Sequence, residues 1–362
     1  MIRKQKTGDS LRSEIRDKIK SESNTPSLWA PPKGSDQFLL STGSTLVDLA
    51  ISGRRFIGGG IPMGIFVEVF GKSSKGKTVL LLEMAGVVQR MGGDYLFLDP
   101  EARVNDEFAN IFDFKMEHKK YKKPNTITDA FTLMKKWEPK GNGPFVIFCD
   151  SIAALVSNEE DAGKGDEYSG ARRARDFSQQ LRQITRIIAE KNYLLICTNQ
   201  MRQNLGAGPF GKKYKPTGGE APEFYASLRL ELKQPAKDGV LKMEKTIKGV
   251  LHKKIYGVQT DIFVEKSTVS TPYQTGSLRI LFDYGVDDIV PNLVYLKKNL
   301  KASTYVLGGK NIGSSLDKAV QYIEHSDEKI RRVRIKKLKD EVIELWTEIQ
   351  KELTPNRLRK LR

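Results

Sequence analysis

The chain has 362 residues and holds little that redox or metal chemistry could use. It has two cysteines, Cys149 and Cys197, and three histidines, His118, His252 and His325. Two cysteines cannot build a disulfide framework. Each ends an apolar run, so both read as buried core in a reducing compartment. The histidines stand alone, without the spacing of a zinc site. Long apolar runs are missing too. The richest region, around Ile57 to Phe70, is broken by Gly58, Gly59, Gly60, Pro62 and Gly64, whereas a membrane span needs about 20 apolar residues. The N-terminus, MIRKQKTGDSLRSEIRDKIK, is basic but lacks the apolar segment of a secretory signal. There is no internal repeat. The expectation is a cytoplasmic protein with no membrane partner. Acid is also scarce: 44 Asp and Glu face 61 Lys and Arg, a net charge of +17. That balance suits a polyanionic partner such as nucleic acid; a lysine-rich surface without one is the plain alternative.

What is present divides into three stretches. Residues 1–37 are polar, with one short amphipathic pattern (Leu11, Ile15, Ile19) before a Pro-rich link, TPSLWAPPKG. This predicts a small helix on a tether, suited to be a polymerisation arm. Residues 38–290 alternate strand-like and helical patterns. Apolar runs at Ile65–Phe70, Tyr95–Leu98, Phe145–Cys149, Tyr193–Thr198, Leu228–Leu232, Ile262–Val264 and Leu278–Phe282 predict strands. Val79–Arg90, Ile127–Trp137 and Arg172–Glu190 predict helices between the earlier ones. The expected fold is α/β, with a mainly parallel central sheet covered on both faces and an antiparallel end where the helices stop. Residues 291–362 are basic, and Ile335, Leu338, Val342, Leu345, Ile349 and Leu353 fall on one helical face. They predict a small C-terminal helical or α+β domain. The lysine-rich stretch from Gln234 to Val258 carries no assignment.

The strongest local signal is VFGKSSKGKTVL. Gly71, Lys72, Ser73, Ser74, Lys75, Gly76, Lys77 and Thr78, followed by Val79, fit G-x-x-x-x-G-K-[ST] between a strand and a helix. Glycines let backbone N–H groups converge on phosphate oxygens, and the helix N-terminus adds positive partial charge. Lys77 would reach the terminal phosphates of ATP, and the Thr78 hydroxyl would hold magnesium. A second magnesium ligand is expected at a neighbouring strand end, and PFVIFCDS supplies Asp150 there. YLFLDPEARV ends another strand with Asp99 and Glu101. A carboxylate beside the γ-phosphate can orient or deprotonate water, which favours Glu101 as general base and leaves Asp99 open between catalysis and a turn role. After Gln200 comes MRQNLGAGPFGKKYKPTGGE, a loop rich in glycine and cations (Arg202, Lys212, Lys213, Lys215) with two aromatics, Phe210 and Tyr214. Flexible backbone with positive charge suits a loop that orders on a phosphodiester chain.

The order of these motifs resembles the RecA recombinase family. LSTGSTLVDLAI and GGGIPMGIFVEVFGKSSKGKT look like its entry into the ATP site. FVIFCDSIAAL, LLICTNQMR, PTGGEAPEFYASLRLEL and FVEKSTVSTPYQTGSLRILFDYGVD follow in the same order. The similarity covers roughly residues 38 to 300. It implies a RecA-like P-loop core in which Glu101 is the catalytic glutamate, Phe108 stacks on adenine, and Gln200 senses the γ-phosphate and passes the state to the DNA loop beyond. It also implies that Arg175, Ser178 and Arg182 contact DNA, that Gly218 and Gly219 approach phosphates through their N–H groups, and that Lys266 reaches the neighbouring subunit's ATP. The family has a second lysine two residues further on, where this chain has Thr268. The chain also ends in basic TPNRLRKLR where bacterial members commonly carry an acidic tail, which points to a divergent, phage- or mobile-element-borne member.

The resemblance implies a DNA-dependent ATPase that forms a homo-oligomeric helical filament on single-stranded DNA, captures double-stranded DNA and exchanges strands. A mediator or single-strand-binding protein would be a further partner. The rival readings are a RecA-fold ATP-dependent regulator that binds DNA without exchange, a ring helicase of the same fold, and a basic DNA-packaging protein with a dead ATP site.

Overall fold

The computed structural model describes residues 38–163, 169–203, 214–216, 220–233, 235 and 239–355, with backbone alone at 169, 202–203 and 214–216. The expected N-terminal helix lies outside these residues. The strands in chain order are β1 Leu39–Leu40, β2 Ile61–Pro62, β3 Phe66–Gly71, β4 Asp94–Leu98, β5 Tyr121–Lys122, β6 Phe145–Cys149, β7 Leu194–Gln203 and β8 Tyr214–Pro216. They continue as β9 Leu228–Lys233, β10 Val240–Ile247, β11 Val250–Ser267, β12 Thr275–Leu281, β13 Gly285–Val286, β14 Tyr305–Leu307 and β15 Lys310–Gly313.

The main sheet has the order β13-β12-β11-β9-β3-β7-β6-β4-β5. From β9 to β5 every pairing is parallel. The pairings of β9 with β11, β11 with β12, and β12 with β13 are antiparallel. The change comes where the expectation put it, because the chain there has no helix to cross back with. The parallel strands are buried on both faces. Val67 and Val69 of β3 pack with Leu80, Leu81 and Met84 of the Lys77–Arg90 helix. Phe66 packs on the opposite face with Phe131 and Phe177, from the helices Ile127–Lys136 and Ser169–Lys191. Local chemistry fixes helix starts: the Thr126 hydroxyl accepts the Asp129 N–H at 3.1 Å, and ahead of the short helix Asp106–Asn110 the Asn105 side chain accepts the Phe108 N–H at 2.8 Å.

The STGST segment owes its form to two carboxylates, Asp48 buried and Asp288 half-buried. Asp48 accepts from Ser41 Oγ, Thr42 N and Thr42 Oγ1, and Asp288 accepts from Thr45 N and Oγ1 at 2.7 Å each. The unassigned lysine-rich stretch is a two-stranded ribbon. β10 pairs with the first half of β11, turning at Lys248–Gly249, both with positive φ. Met243, Ile247, Val250, Leu251 and Ile255 are exposed along it. Neither face of the ribbon packs on a core, which is why its residues show no strand pattern of burial.

By contacts the described chain forms two compact units, Leu293–Val342 and Phe38–Asn292, the latter joined by residues 343–355. The first contains the β14–β15 hairpin and the helix Leu316–Ile323, with Leu307, Ile312, Ala319, Ile323, Leu338 and Val342 buried.

Candidate functional site

β3 lies between β7 and β9, and β3, β4, β6 and β7 all point their carboxyl ends to the same edge of the sheet. Gly71 is opposite Gln200, Leu98 opposite Cys149, and Cys149 opposite Cys197. This edge is where open α/β sheets take ligands. The turn after β3 is built for backbone donors. Gly71 and Gly76 have φ of 152° and 89°. A Cβ on Gly76 would lie 2.4 Å from Ile280 Cδ1, and one on Gly71 would lie 2.7 Å from the Leu232 carbonyl. A side chain would strain the backbone at either position, and at Gly71 it would also meet backbone. Thr260 Oγ1 of β11 donates to the Lys75 carbonyl at 3.2 Å and braces the loop. Lys72, Ser73 and Ser74 form its exposed rim, while Val79 packs on the core behind it.

Within the turn, Lys77 Nζ donates to the carbonyls of Gly71 and Lys72 at 3.0 and 2.9 Å. Burial pushes its ammonium below the ordinary lysine value, while the charges of Asp150 and Glu101 oppose that shift. Such a cation gains much from a new anionic partner. Thr78 Oγ1 donates to Asp150 Oδ2 at 2.6 Å, and Thr198 Oγ1 donates to Asp150 Oδ1. Burial raises the Asp150 carboxyl. The Thr198 and Thr78 hydrogen bonds oppose this, and the charges of Glu101 and Asp99 add to it.

Glu101 gathers the remaining groups. Its Oε1 accepts from Ser151 Oγ and from Gln200 Nε2, each at 2.8 Å, and its Oε2 pairs with Arg103 Nη1 at 2.6 Å. Asp99 is 1% exposed and shapes the turn that presents Glu101. Its Oδ2 accepts the Val104 N–H and the Tyr121 hydroxyl.

A hard hydroxyl–carboxylate pair amid surplus negative charge suits magnesium, which needs few protein oxygens and completes its shell with phosphate and water. Among the described residues no cluster of three or more His, Cys, Asp or Glu could hold a metal by protein ligands alone. Thr78 and Asp150 therefore fit a metal that arrives with a polyphosphate.

The other expected residues lie apart from this cluster. Phe108 is half-buried, its ring edge-on to Phe112 with centroids 5.5 Å apart. Arg175, Ser178 and Arg182 share a face of the Ser169–Lys191 helix away from Phe177, Leu181, Ile184 and Ile188, with both arginines exposed. Arg202 and Lys215 are register partners on β7 and β8. Lys212, Lys213, Gly218 and Gly219 lie outside the described residues. Lys266 Nζ donates to the carbonyls of Glu223 and Phe224 at 2.7 and 3.0 Å. It is level with Arg229 and Glu68, three residues back from Gly71 and two strands across. At roughly 3.3 Å per residue and 4.8 Å per strand, that places its backbone about 14 Å from the turn.

Sequence reasoning passed over Thr198, which completes the hold on Asp150, and Arg103, which charges the outer face of Glu101. Arg103 had a signal, an arginine two residues past the proposed base; Thr198 was one residue in an apolar run.

The RecA N-terminal domain model matches residues 33–287. Curated relatives include three each named Protein RecA. That from Rippkaea orientalis is 30% identical over 80% of this chain and 79% of its own. That from Thermus thermophilus is 31% identical over 84% and 86%, and that from Laribacter hongkongensis 33% over 80% and 77%. No helix among the described residues is long and apolar enough to cross a membrane.

Proposed function

The chain belongs to the RecA family, and on that premise we propose that it is a DNA-dependent ATPase that polymerises on single-stranded DNA, pairs it with homologous duplex and exchanges strands. One observation carries the reading. Lys77, Thr78, Asp150, Glu101 and Gln200, the residue types that phosphoryl transfer requires, meet at one sheet edge: Lys77 is held within its turn, Thr78 bonds Asp150, and Gln200 bonds Glu101.

In this reading the N–H groups of the Gly71–Lys77 turn hold the phosphates of ATP, and Lys77 leaves its two carbonyl partners for the β- and γ-phosphates. Thr78 and Asp150 hold magnesium, which when bound neutralises phosphate charge. Glu101 orients the attacking water and takes its proton. Gln200 donates to Glu101 in the resting state. Transferring that donation to a γ-phosphate oxygen frees a carboxylate lone pair for water and shifts the start of the basic loop. Binding of ATP thereby orders the DNA-facing loop, and hydrolysis to ADP and phosphate releases it. Lys266, too far from its own turn, serves a neighbouring subunit's site along a helical filament. Arg175, Arg182 and the loop cations hold the DNA backbone, so homology is tested by base pairing and not by side chains.

The test is strand exchange between a single strand and a homologous duplex, with ATP and magnesium. Joint molecules with the homologous duplex, and none with an unrelated one, are expected. DNA-stimulated hydrolysis without joint molecules would leave an ATP-dependent regulator instead.

A further inference from the structure

Glu68 is a fully buried carboxylate that the site described above does not use. It stands on β3, three residues before Gly71, with 0% exposure. Both of its oxygens are engaged. Oε1 accepts from Asn199 Nδ2 at 2.8 Å, and Oε2 accepts from Arg229 Nε at 2.7 Å. Each partner leads to a different part of the molecule. Asn199 Oδ1 accepts the backbone N–H of Gln200 at 2.9 Å, so Glu68 holds the residue that frames Gln200. Arg229 is itself buried, at 2% exposure. Its guanidinium lies over the Phe70 ring, 4.6 Å from the centroid, and its Nη1 pairs with Glu265 and with Glu223 at 3.3 Å. Glu265 is the extra residue where the β9–β11 register slips between Val264 and Lys266. The Glu223 and Phe224 carbonyls take the Lys266 ammonium. One hydrogen-bonded row thus crosses β7, β3, β9 and β11, from Gln200 to the bulge that sets the pointing of Lys266.

Stability does not account for this row. Charges buried in pairs gain little over well-packed apolar side chains of equal volume, because desolvation offsets the attraction. Asn199, Glu68 and Arg229 lie side by side across β7, β3 and β9, and apolar residues there would hold the strands as well. What an apolar triad cannot do is fix a side-chain amide at one end and a strand bulge at the other.

We propose that Glu68 is a positioning residue for nucleotide hydrolysis: through Asn199 it fixes Gln200, and through Arg229 it fixes the edge that carries Lys266. This rests on the ATPase reading above. It assigns no contact between Glu68 and substrate.

The test is Glu68→Gln in the full-length chain, with Glu68→Gln/Asn199→Asp as its rescue. The single variant keeps the shape but turns an amide N–H₂ toward one of two donors. The double variant restores the match: the new amide donates to the carboxylate introduced at position 199, and its carbonyl accepts from Arg229. That carboxylate still accepts the Gln200 N–H. Affinities for ADP and for a non-hydrolysable ATP analogue are read by titration, and ATP turnover with and without single-stranded DNA by phosphate release. For Glu68→Gln we expect ADP affinity within about twofold of wild type, and a preference for the analogue over ADP reduced about tenfold, equivalent to about 1.4 kcal/mol. Turnover should fall at least as far, with KM for ATP rising in step with the lost analogue affinity, and the double variant should regain most of both. Unchanged analogue preference, or equal loss of ADP and analogue binding, would overturn the proposal. So would a double variant no better than the single one while its ADP affinity shows it folded. The analogue-to-ADP ratio needs no hydrolysis. A wild-type protein that binds nucleotide but shows no DNA-stimulated turnover would therefore refute the ATPase reading, while the ratio would still decide the role of Glu68.

Discussion

Replacing Glu101 by Gln should separate nucleotide binding from hydrolysis. The exchange keeps the side chain's shape, and the new carbonyl can accept the Ser151 and Gln200 donors that Oε1 accepts now at 2.8 Å each. The pair with Arg103 is lost, but the Arg103 side chain is 67% exposed, and such surface pairs contribute at most about 1 kcal/mol. The melting temperature should therefore move little. The amide cannot accept a proton from water, and loss of a general base lowers turnover by about 10²–10⁴-fold, or roughly 3–5 kcal/mol of barrier. Neither Lys77 nor Thr78 is touched, so KM for ATP should stay within about threefold of wild type. The assay is phosphate release with saturating single-stranded DNA, paired with nucleotide titration and a thermal melt. Turnover within about threefold of wild type would refute the assignment of Glu101. A large rise in KM would mean that the carboxylate binds nucleotide instead of activating water.

Three further outcomes follow from the same geometry. Lys266→Ala should bind ATP yet lose DNA-stimulated hydrolysis, and mixing it with Lys77→Ala should recover turnover above either alone by rebuilding one complete shared site; no recovery in mixed filaments confirmed by labelling would confine Lys266 to its own subunit. Neutralising Arg175 and Arg182, exposed on one face of their helix, should flatten the slope of log affinity for single-stranded DNA against log salt by about 0.7 per lost contact, and an unchanged slope would place them away from the strand. Burial, opposed by hydrogen bonds from Ser41 and Thr42, raises the Asp48 carboxyl from 3.8 to about 6. The folded state therefore holds the extra proton in that window, and this group's contribution to stability falls as pH rises through it. The stability difference between Asp48→Asn and wild type, from urea melts, should shift toward the variant by about 2–3 kcal/mol from pH 4 to pH 7, and a constant difference would contradict the shift.

The parallel half of the sheet was legible because its physics is local. A strand buried on both faces must be a short apolar run, and a parallel partner must be reached through a helix. The phosphate turn was legible because its glycines, lysine and threonine are contiguous. Asp150 and Glu101 could be found once that turn was known, since each follows a strand at the same edge. Contacts that arise only from cross-strand register stayed hidden. Glu68 sits in a strand otherwise apolar up to Gly71, and nothing local tells that Arg229 and Asn199 will flank it. β11 reads as a strand only at Ile262–Val264, because its first half, from Val250 to Tyr256, is lysine-rich and rests on β10 alone. Its length follows from pairing with a partner, and a one-dimensional pattern of burial does not record it.

The central claim is that ATP organises this chain into a helical filament on single-stranded DNA. Electron microscopy of the full-length protein on single-stranded DNA, with magnesium and a non-hydrolysable ATP analogue, tests it most directly. Long helical filaments that are lost with ADP, and that do not form with Lys77→Ala, are the predicted result. Closed rings of fixed subunit number, or filaments indifferent to nucleotide, would contradict it.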